Sequence, residues 1–407
     1  MKITLIAGAR PNFMKVAPII KAIKAAEAAG KDMHYRLVHT GQHYDKNMSD
    51  TFFEELGIPA PDVNLGCGGG SQAEQTAAIM VAFEKELMAH PADIVMVVGD
   101  VTSTMACSIV AKKLNTKVCH VEAGIRSWDL TMPEEINRMV TDSLADYMFT
   151  TSEVANRNLV RLGASLQLPP EGRRVIAQNP SPINGEDGKC DNEIHPSLQG
   201  GAGVGPKVWF VGNVMIDTLL ANRARFRKPE VWDELGLKEQ EFIVMTMHRP
   251  ANVDEENHLR AMMEQIIDNV HGLPVIFPIH PRTAKLFYGL WGDEAELAKR
   301  LPNLHIVEPM GYLEFNYLVE RAKAVVTDSG GITEETTVMG VPCITLRDNT
   351  ERPETCTVGT NELIGTDPAA IKPALDKLFA GEWKKGAIPE LWDGHTAARI
   401  IEILADL

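Results

Sequence analysis

Short apolar runs rich in β-branched residues alternate with longer helical patterns along this chain, and this alternation limits the possible folds more than any other feature. The runs span 3–7, 35–39, 94–98, 118–121 and 147–151 in the first half, and 242–247, 275–279, 304–307, 324–327 and 343–346 in the second. Runs such as IVMVV and FIVM are apolar throughout, as in strands that helices cover on both faces. The rhythm is typical of βαβ units and predicts an α/β fold with two doubly wound parallel sheets.

The length of the chain supports a division into two domains. Its 407 residues exceed what one ordinary hydrophobic core accommodates. We predict an N-terminal Rossmann-like domain over 1–212, a C-terminal one over 213–389, and a last helix at about 390–407 that is able to pack back on the first. Between 166 and 206, 13 of 41 residues are Pro or Gly, which predicts a surface insertion. Its length and composition favour a mobile loop, with a functional loop as the alternative.

Charge and cysteine usage exclude several classes of protein. Forty basic and 55 acidic residues give a formal charge of −15, which argues against broad attraction to nucleic acid or anionic lipid. The apolar run in MKITLIAGARPNFMK is too short for a membrane span and lacks a small-residue cleavage site, so we expect a cytoplasmic protein that is not exported. Six scattered cysteines without a CxxC pair predict reduced thiols and no metal site.

The first strand ends in a turn suited to an anion. Gly8-Ala9-Arg10-Pro11-Asn12 leads into a helix that carries Lys15, so backbone N–H groups and two cations come together. The turn is not a GxGxxG motif and no other nicotinamide fingerprint appears, which argues against a tightly held dinucleotide. The alternative is that Pro11 only starts the helix while Arg10 and Lys15 are solvated.

A second anion site is predicted in the C-terminal half. The strand AVVT runs into Asp328-Ser329-Gly330-Gly331 and a helix, whose first N–H groups suit a phosphate. Glu334 or Glu335 is able to accept hydrogen bonds from a ribose diol, or only complements the helix dipole. Arg347 closes a later strand and adds a cation beside the same cleft.

Three carboxylates of the first half are candidates for acid–base chemistry. Asp100, Glu122 and Glu134 each follow a strand or open a helix, and paired carboxylates divide proton transfers when their pKa values differ. Glu134 has two structural alternatives: Thr131 precedes it at capping-box spacing, and Arg138 lies at i+4 for a helix ion pair.

His248 ends the strand pattern FIVMTM and is followed by Arg249. An imidazole at the carboxyl end of a strand faces the usual ligand side of such a sheet, although a lone histidine is more often structural. A functional and a structural role both stay open.

Together these segments resemble the non-hydrolysing UDP-N-acetylglucosamine 2-epimerase family. The motifs GARPNFMK, HTGQHYD, GDVTST, HVEAGIRS, PEEINR, VGN, HRPANVD, TDSGGITEE and LRDNTERPE occur in the family's order over nearly the whole chain. The resemblance implies a GT-B-like architecture with an interdomain cleft and a UDP sugar as substrate. It further implies a cytoplasmic homodimer that supplies nucleotide sugars for surface polysaccharide. The expected chemistry needs no redox cofactor, and we predict no metal because no H-x-x-x-H pair or acidic cluster has the context of a metal site.

The resemblance also implies roles for single residues. The positions that match catalytic ones are Lys15, Asp100, Glu122, Glu134, Arg138 and His248, and those that match UDP-binding ones are Arg10, Lys15, His248, Phe315, Ser329, Gly330, Gly331, Glu335 and Arg347. Three features depart from the family pattern: Val98 stands where histidine is common, Pro250 and Ala251 replace a polar pair, and the insertion at 166–206 is long.

The expected reaction inverts C2 of UDP-N-acetylglucosamine through elimination of UDP, a 2-acetamidoglucal intermediate and re-addition. Asp100 or Glu122 is expected to be the C2 base before Glu134. The alternatives are a 2-epimerase of a modified UDP sugar (2,3-diacetamido or uronic acid), a hydrolysing epimerase, a GT-B glycosyltransferase and a non-catalytic nucleotide-sugar sensor.

Overall fold

Two parallel β-sheets organise the residues that the computed structural model describes, namely 1–41, 55–161, 165–166, 206–279, 281–292 and 294–407. The predicted insertion at 166–206 lies outside the described residues except at its two end positions. All the strand pairings are parallel, which confirms the predicted fold class.

The first sheet has eight strands in the order β3-β2-β1-β4-β5-β6-β8-β7. They are β1 (Lys2–Ala7), β2 (His34–His39), β3 (Val63–Asn64), β4 (Ile94–Val98), β5 (Lys117–Val121), β6 (Tyr147–Thr150), β7 (Ser165–Leu166) and β8 (Lys207–Phe210). The second sheet has six strands in the order β11-β10-β9-β12-β13-β14. They are β9 (Ile243–Thr246), β10 (Val275–Pro278), β11 (Leu304–Val307), β12 (Ala324–Thr327), β13 (Cys343–Thr345) and β14 (Asn361–Leu363).

Helices connect the strands and cover both faces of each sheet. Those of the first half are α1 (Arg10–Ala28), α2 (Gln72–Ala89), α3 (Thr102–Lys113), α4 (Pro133–Leu144) and α5 (Glu153–Arg161). The remaining helices are α6 (Val214–Asn222), α7 (Glu230–Glu234), α8 (Pro250–Val253), α9 (Glu256–Asn269), α10 (Pro281–Trp291), α11 (Glu294–Arg300), α12 (Tyr312–Arg321), α13 (Gly330–Met339), α14 (Pro353–Thr357), α15 (Ile371–Phe379) and α16 (Thr396–Ala405), with 3₁₀ turns at Arg223–Arg225 and Pro368–Ala370.

The strand predictions agree with the structure to within one residue at each end for all ten runs. The edge strands β3, β7 and β14 were not predicted. They contain only two or three residues each, too few for an apolar pattern to form.

Each sheet contains the strand order of a doubly wound fold, in which ligands bind where the order reverses. In the first sheet this point lies between β1 and β4, and in the second between β9 and β12. The turns after these four strands hold Gly8, Gly99, His248 and Asp328. The topology therefore selects four turns among many as the ligand-facing ones.

The last helix, α16, packs on the first half of the chain. Ile400 and Leu404 are fully buried in the same apolar cluster as Ile19 and Ile23 of α1. Asp217 of α6 accepts hydrogen bonds from the N–H groups of Thr396 (3.1 Å) and Ala397 (2.7 Å) and so holds the start of α16. The exact domain limits, 1–212 and 213–389, stay a prediction.

No helix among the described residues combines the length and the apolar character that crossing a bilayer requires. Four cysteines of this part of the chain are buried free thiols and Cys356 is half-buried. Cys190 lies outside the described residues.

Candidate active site

A cavity of about 800 Å³ lies between the two sheets, at the switch points of both. It brings together residues that lie far apart in the sequence. Those predicted from sequence that line it are Lys15, Asp100, Glu122, Glu134, Arg138, His248, Gly330 and Gly331. Among the described residues, no group of three or more His, Cys, Asp or Glu side chains has the arrangement of a metal site.

Asn12 fixes the turn after β1. Its side-chain oxygen accepts hydrogen bonds from the N–H groups of Gly8 and Ala9 (both 3.1 Å), and its amide donates to the carbonyl of Val98 (2.9 Å). One turn further along α1, Lys15 donates to Glu122 Oε2 over 2.6 Å and is mostly buried, so the alternative of a solvated Lys15 is wrong. The side chain of Arg10 lies outside the described residues.

Glu122 follows β5 in a strained backbone conformation. Its φ of 72° lies in the left-handed region that side chains other than glycine rarely adopt, and such strain concentrates at functional sites. Burial favours the neutral acid, but Lys15 and then Arg352 outweigh this effect and hold the pKa of Glu122 below its ordinary value. Glu122 is therefore an ionised carboxylate at the cavity wall.

Asp100 stands beside Glu122 on the turn after β4. Gly99 precedes it with a φ of 70°, a conformation that favours glycine, and a β-carbon there would lie 3.2 Å from Lys15 Nζ. Arg138 contacts Asp100 Oδ2 through Nε (3.0 Å) and Nη2 (2.5 Å). Burial acts to raise the pKa of Asp100, but Arg138 and Lys15 lower it below the ordinary value.

Two adjacent glutamates at the start of α4 have different environments. Glu135 is fully buried, accepts from the N–H of Ser127 (2.9 Å) and pairs with Arg138 Nη1 (2.7 Å). Glu134 is exposed to the cavity instead. The helix begins after Met132 without a side-chain cap, and Thr131 Oγ1 bonds Asp129, so the capping-box alternative for Glu134 is wrong.

The alternative of an ion pair between Glu134 and Arg138 is also wrong. Arg138 pairs with Asp100, Glu135 and Glu351. Arg138 therefore pairs with Glu135, three residues before it, and not with Glu134, four residues before it. Glu134 is left directed at the cavity.

A buried network supports the turns that carry Asp100 and Glu122. His120 contacts Asp142 through Nδ1 (2.6 Å) and the carbonyl of Gly99 through Nε2 (2.9 Å). The carboxylate of Asp142 also accepts from the N–H of Gly124 (3.1 Å) and pairs with Arg126 (2.7 Å). These contacts fix both turns to the interior of the first sheet.

In the second half, His248 is paired with Asp328. His248 Nδ1 lies 2.9 Å from Asp328 Oδ1, which leaves Nε2 free to face a ligand. Asp328 also accepts from the backbone N–H of His248 (3.0 Å) and Arg249 (2.9 Å). Although burial opposes ionisation, these bonds lower the pKa of Asp328 to about 2.

Helix α13 begins at the cavity with an open N-terminus. Its N-cap is Ser329, whose side chain makes no capping hydrogen bond, and Gly330 and Gly331 are its first residues. A β-carbon on Gly330 would lie 3.8 Å from Arg347 Nη1, so a cation stands beside the uncapped N–H groups. This combination suits a phosphate.

The two glutamates of α13 also separate. Glu334 lines the cavity and pairs with Arg352 Nε, whereas Glu335 is buried away from it and accepts from the Tyr312 hydroxyl (2.8 Å). Burial raises the pKa of Glu334 and of Glu335 to about 7 in each case.

Three further predicted UDP-site residues do not line the cavity. Ser329 occupies the N-cap position of α13, Phe315 packs against the apolar cluster that contains Phe242, and the buried Arg347 contacts Glu351 over 2.7 Å.

Sequence reasoning missed Glu351 and Arg352, although both stand in the motif RDNTERPE. Arg352 Nη2 lies 2.9 Å from Glu122 Oε2, and its Nη1 lies 3.1 Å from Thr151 Oγ1. Glu351 Oε1 lies 3.5 Å from Arg138 Nη2. The signal in the sequence was a glutamate and an arginine directly before Pro353, which begins a helix.

The carboxylates and the open helix start lie around one cavity between two doubly wound sheets. This arrangement is typical of two-domain α/β enzymes. The chain belongs to the UDP-N-acetylglucosamine 2-epimerase family, whose sequence profile matches residues 25–171 and 202–405. The predicted family, and with it the class of isomerases, is confirmed.

Named relatives cover nearly the full chain. The UDP-N-acetylglucosamine 2-epimerase of Methanocaldococcus jannaschii is 36% identical over 413 residues, with 99% of each chain covered. The UDP-2,3-diacetamido-2,3-dideoxy-D-glucuronate 2-epimerase of Pseudomonas aeruginosa is 35% identical, with 100% of each chain covered.

Solved structures share the fold. The crystal structure of the M. jannaschii UDP-GlcNAc 2-epimerase in complex with UDP-GlcNAc and UDP is 35% identical and has a TM-score of 0.78 over all of both chains. That of the Neisseria meningitidis UDP-GlcNAc 2-epimerase bound to UDP-GlcNAc is 26% identical, with a TM-score of 0.77 over all of both chains.

Proposed function

We propose that this chain interconverts UDP-N-acetylglucosamine and UDP-N-acetylmannosamine by inverting C2 of the sugar. The observation that carries the proposal is the shared cavity, where the ionised pair Asp100 and Glu122 faces the open start of α13. A sugar diphosphate matches both sides, because a carboxylate abstracts a proton from carbon and a helix N-terminus binds phosphate.

The proposed reaction begins with the removal of the C2 proton by Asp100 or Glu122. The electron pair of that C–H bond forms the C1=C2 double bond, and the C1–O bond breaks with its electrons left on UDP. The product is 2-acetamidoglucal beside UDP. Protonation of C2 from the opposite face and return of the diphosphate oxygen to C1 complete the inversion.

Charge on the departing diphosphate is the main demand of the elimination step. The backbone N–H groups of Gly330 and Gly331, with Arg347 nearby, lie where that charge would develop. Fixed donors and cations of this kind stabilise a transition state more than the ground state, because they need no reorganisation. His248 Nε2 and Glu134 are proposed to contact the substrate from opposite walls.

A second candidate is the 2-epimerisation of a 2,3-diacetamido uronic acid linked to UDP. The relative of that name in P. aeruginosa is 35% identical, close to the 36% of the M. jannaschii enzyme, so identity does not separate the two substrates. Arg249 favours the charged sugar, because its guanidinium reaches its acidic neighbour Glu351 only at 3.9 Å.

The test is incubation of the protein with UDP-N-acetylglucosamine in D2O, followed by mass spectrometry and NMR. Solvent deuterium at C2 in a product that keeps UDP supports epimerisation. Free UDP with N-acetylmannosamine indicates a hydrolysing enzyme. Unlabelled substrate shows that this sugar is not used, and the uronic acid substrate in the same assay then decides between the second candidate and a non-catalytic binding protein.

The homodimer, the cytoplasmic location, the supply of polysaccharide precursors and the domain limits are proposed on the family resemblance alone. Light scattering coupled to size-exclusion chromatography tests the dimer directly. A mass of one chain at micromolar concentration would contradict it.

A further inference from the structure

Glu351 and Arg352 lie in the second half of the chain but contact the carboxylates of the first half. Glu351 links Arg347 (2.7 Å) to Arg138 (3.5 Å), which in turn holds Asp100 (2.5 Å). Arg352 pairs with Glu334 of its own half and reaches Glu122 over 2.9 Å. Two alternating series of charges thus cross the cavity side by side.

The segment that carries both residues is held in place. The N–H of Arg352 bonds Thr350 Oγ1 over 3.1 Å, and its carbonyl accepts from Thr355 Oγ1 over 2.8 Å. Pro353 then begins α14 and restricts the backbone. Because this backbone is fixed, the side chains of Glu351 and Arg352 move together with the second domain.

The ion pairs of Glu351 and Arg352 are buried, and burial distinguishes a contribution to stability from a contribution to geometry. Arg138 and Arg352 are less than one-tenth exposed. A buried ion pair contributes little net stability because of desolvation, whereas it strictly fixes the geometry of its members. The guanidinium fork of Arg352 binds Glu122, Thr151 and Glu334 in different directions, which a lysine is unable to do.

We propose that Glu351 and Arg352 form a clasp across the cavity that positions Asp100 and Glu122 for proton transfer. The clasp makes the working geometry of both carboxylates depend on the placement of the second domain. Glu351 and Arg352 are positioning residues, since they act through Arg138 and Glu122. The inference rests on the proposed epimerase function.

The test compares Arg352→Lys and Arg352→Gln with the wild type and with Arg227→Gln. Arg227 is the matched control, because it also forms an ion pair with a glutamate of the first half, Glu55 (2.8 Å), but lies away from the cavity. Misplacement of a reacting group by about 1 Å lowers rates about 100-fold. We therefore expect kcat about 100-fold lower in Arg352→Gln and about tenfold lower in Arg352→Lys, with the Kd for UDP little changed.

The pH dependence of kcat gives a readout that a purely structural role would not change. Glu122 faces Lys15 of α1, Asp100 after β4 and Arg352, and burial opposes its ionisation. Removal of the Arg352 charge raises the pKa of Glu122, so the acid limb of the kcat profile moves to higher pH in Arg352→Gln. The limb stays in place in Arg227→Gln. Glu351→Gln acts on Arg138 instead and lowers kcat without this upward shift.

A folded Arg352→Gln protein with wild-type kcat and an unmoved acid limb overturns the clasp. So does a loss confined to UDP affinity. If Arg352→Gln does not fold, Arg352→Lys decides through kcat alone, because it keeps the charge and so leaves the acid limb in place; a wild-type kcat in this variant overturns the clasp.

Small-angle X-ray scattering of the UDP-bound proteins separates the clasp from the proposed function. We expect a larger radius of gyration for Arg352→Gln than for the wild type. An unchanged radius together with full C2 exchange defeats the clasp alone. Absence of exchange in the wild type defeats the proposed function, and the scattering comparison then still decides whether the clasp holds the domains.

Discussion

Two pairs of buried carboxylates, one from each half of the chain, have pKa values shifted in opposite directions. Asp100 and Glu122 in the first half have pKa values below the ordinary range, whereas the pKa values of Glu334 and Glu335 in the second half are about 7. Burial favours the neutral acid in all four, so the difference comes from the neighbours. Glu122 contacts two cations, Lys15 and Arg352. Glu335 interacts with the polar side chains of Tyr312 and Asn316 and forms no ion pair within the described part of the chain. Glu334 has Arg352 alone, which it shares with the nearby negative charge of Glu122.

Asp328 shows that the half of the chain in which an acid lies does not determine the direction of its pKa shift. It is fully buried in the second half, yet its pKa is about 2, because N–H donors and His248 surround it. The lesson is that hydrogen-bond donors and cations decide which buried acids ionise. Environments that separate pKa values in this way also separate bases from acids in active sites.

The largest expected effect comes from removing one ionised carboxylate. Glu122→Gln keeps the shape but cannot accept a proton, so we expect kcat to fall about 1000-fold with a nearly unchanged Kd for UDP. Steady-state kinetics and calorimetry measure the two quantities. Glu86→Gln, which also breaks an ion pair (Glu86 to Arg36, 2.6 Å), is the control outside the cavity. Unchanged turnover in Glu122→Gln would remove Glu122 from the chemistry.

The raised pKa of Glu335 is tested through the pH dependence of the free energy of unfolding. A folded pKa of about 7 means that Glu335 stabilises the fold below its unfolded pKa and that this contribution is lost as the pH rises through 7. We expect its share of the unfolding free energy to fall by about 3 kcal/mol between about pH 5 and pH 8. Urea unfolding of Glu335→Gln should therefore show a shallower decline than the wild type.

The exposed substitution Glu241→Gln is the matched control for Glu335→Gln and should retain the wild-type slope. Equal slopes for all three proteins would mean that Glu335 is ionised in the fold. The contrast between the two pairs of buried acids would then fail.

A smaller effect is expected from the cation beside α13. Arg347→Ala should raise the Kd for UDP about 30-fold, because a hydrogen bond to a charged group contributes about 2 kcal/mol. The kcat at saturation should change much less. Calorimetry with UDP measures the affinity, and the exposed Arg300→Ala serves as the control. An intact affinity would place Arg347 outside the nucleotide site and limit it to holding Glu351.

The smallest effect concerns the helix that carries Glu134 and Arg138. Thr131→Val should change the unfolding free energy by less than about 0.5 kcal/mol, because Thr131 does not cap α4. Loss of a true N-cap lowers stability by about 1 kcal/mol. Thermal or urea unfolding measures the difference. A loss of the larger size would restore the capping role and weaken the case that Glu134 serves the cavity.

Local pattern explains why so much of the fold was predictable. Continuous apolar runs between helical patterns fixed ten strands to within one residue, because a strand buried on both faces excludes polar residues. The turns that line the cavity followed from the strand order expected of such sheets. Edge strands of two or three residues escaped prediction, since their pairing depends on neighbours more than on composition.

Adjacent glutamates show where prediction from the sequence ended. The motif PEEINR suggested a pair of Glu134 with Arg138, but the structure gives that pair to Glu135 and leaves Glu134 at the cavity. Glu335, expected at the ribose, is buried beside Tyr312, and Glu334 lines the cavity. One position along a helix turns a side chain by about 100°, and only the packing decides which of two neighbours faces inward.

The amino-acid sequence by itself determined two parallel sheets, their ligand-facing turns and the side chains placed on them, because each of these depends on short-range pattern. The tertiary structure alone decided the contact of Arg352 with Glu122, 230 positions apart in the chain. That contact depends on how one domain is placed against the other, and no local pattern encodes this placement. The ionisation of the acids around the cavity is set by the same placement, since it depends on which cations come within reach.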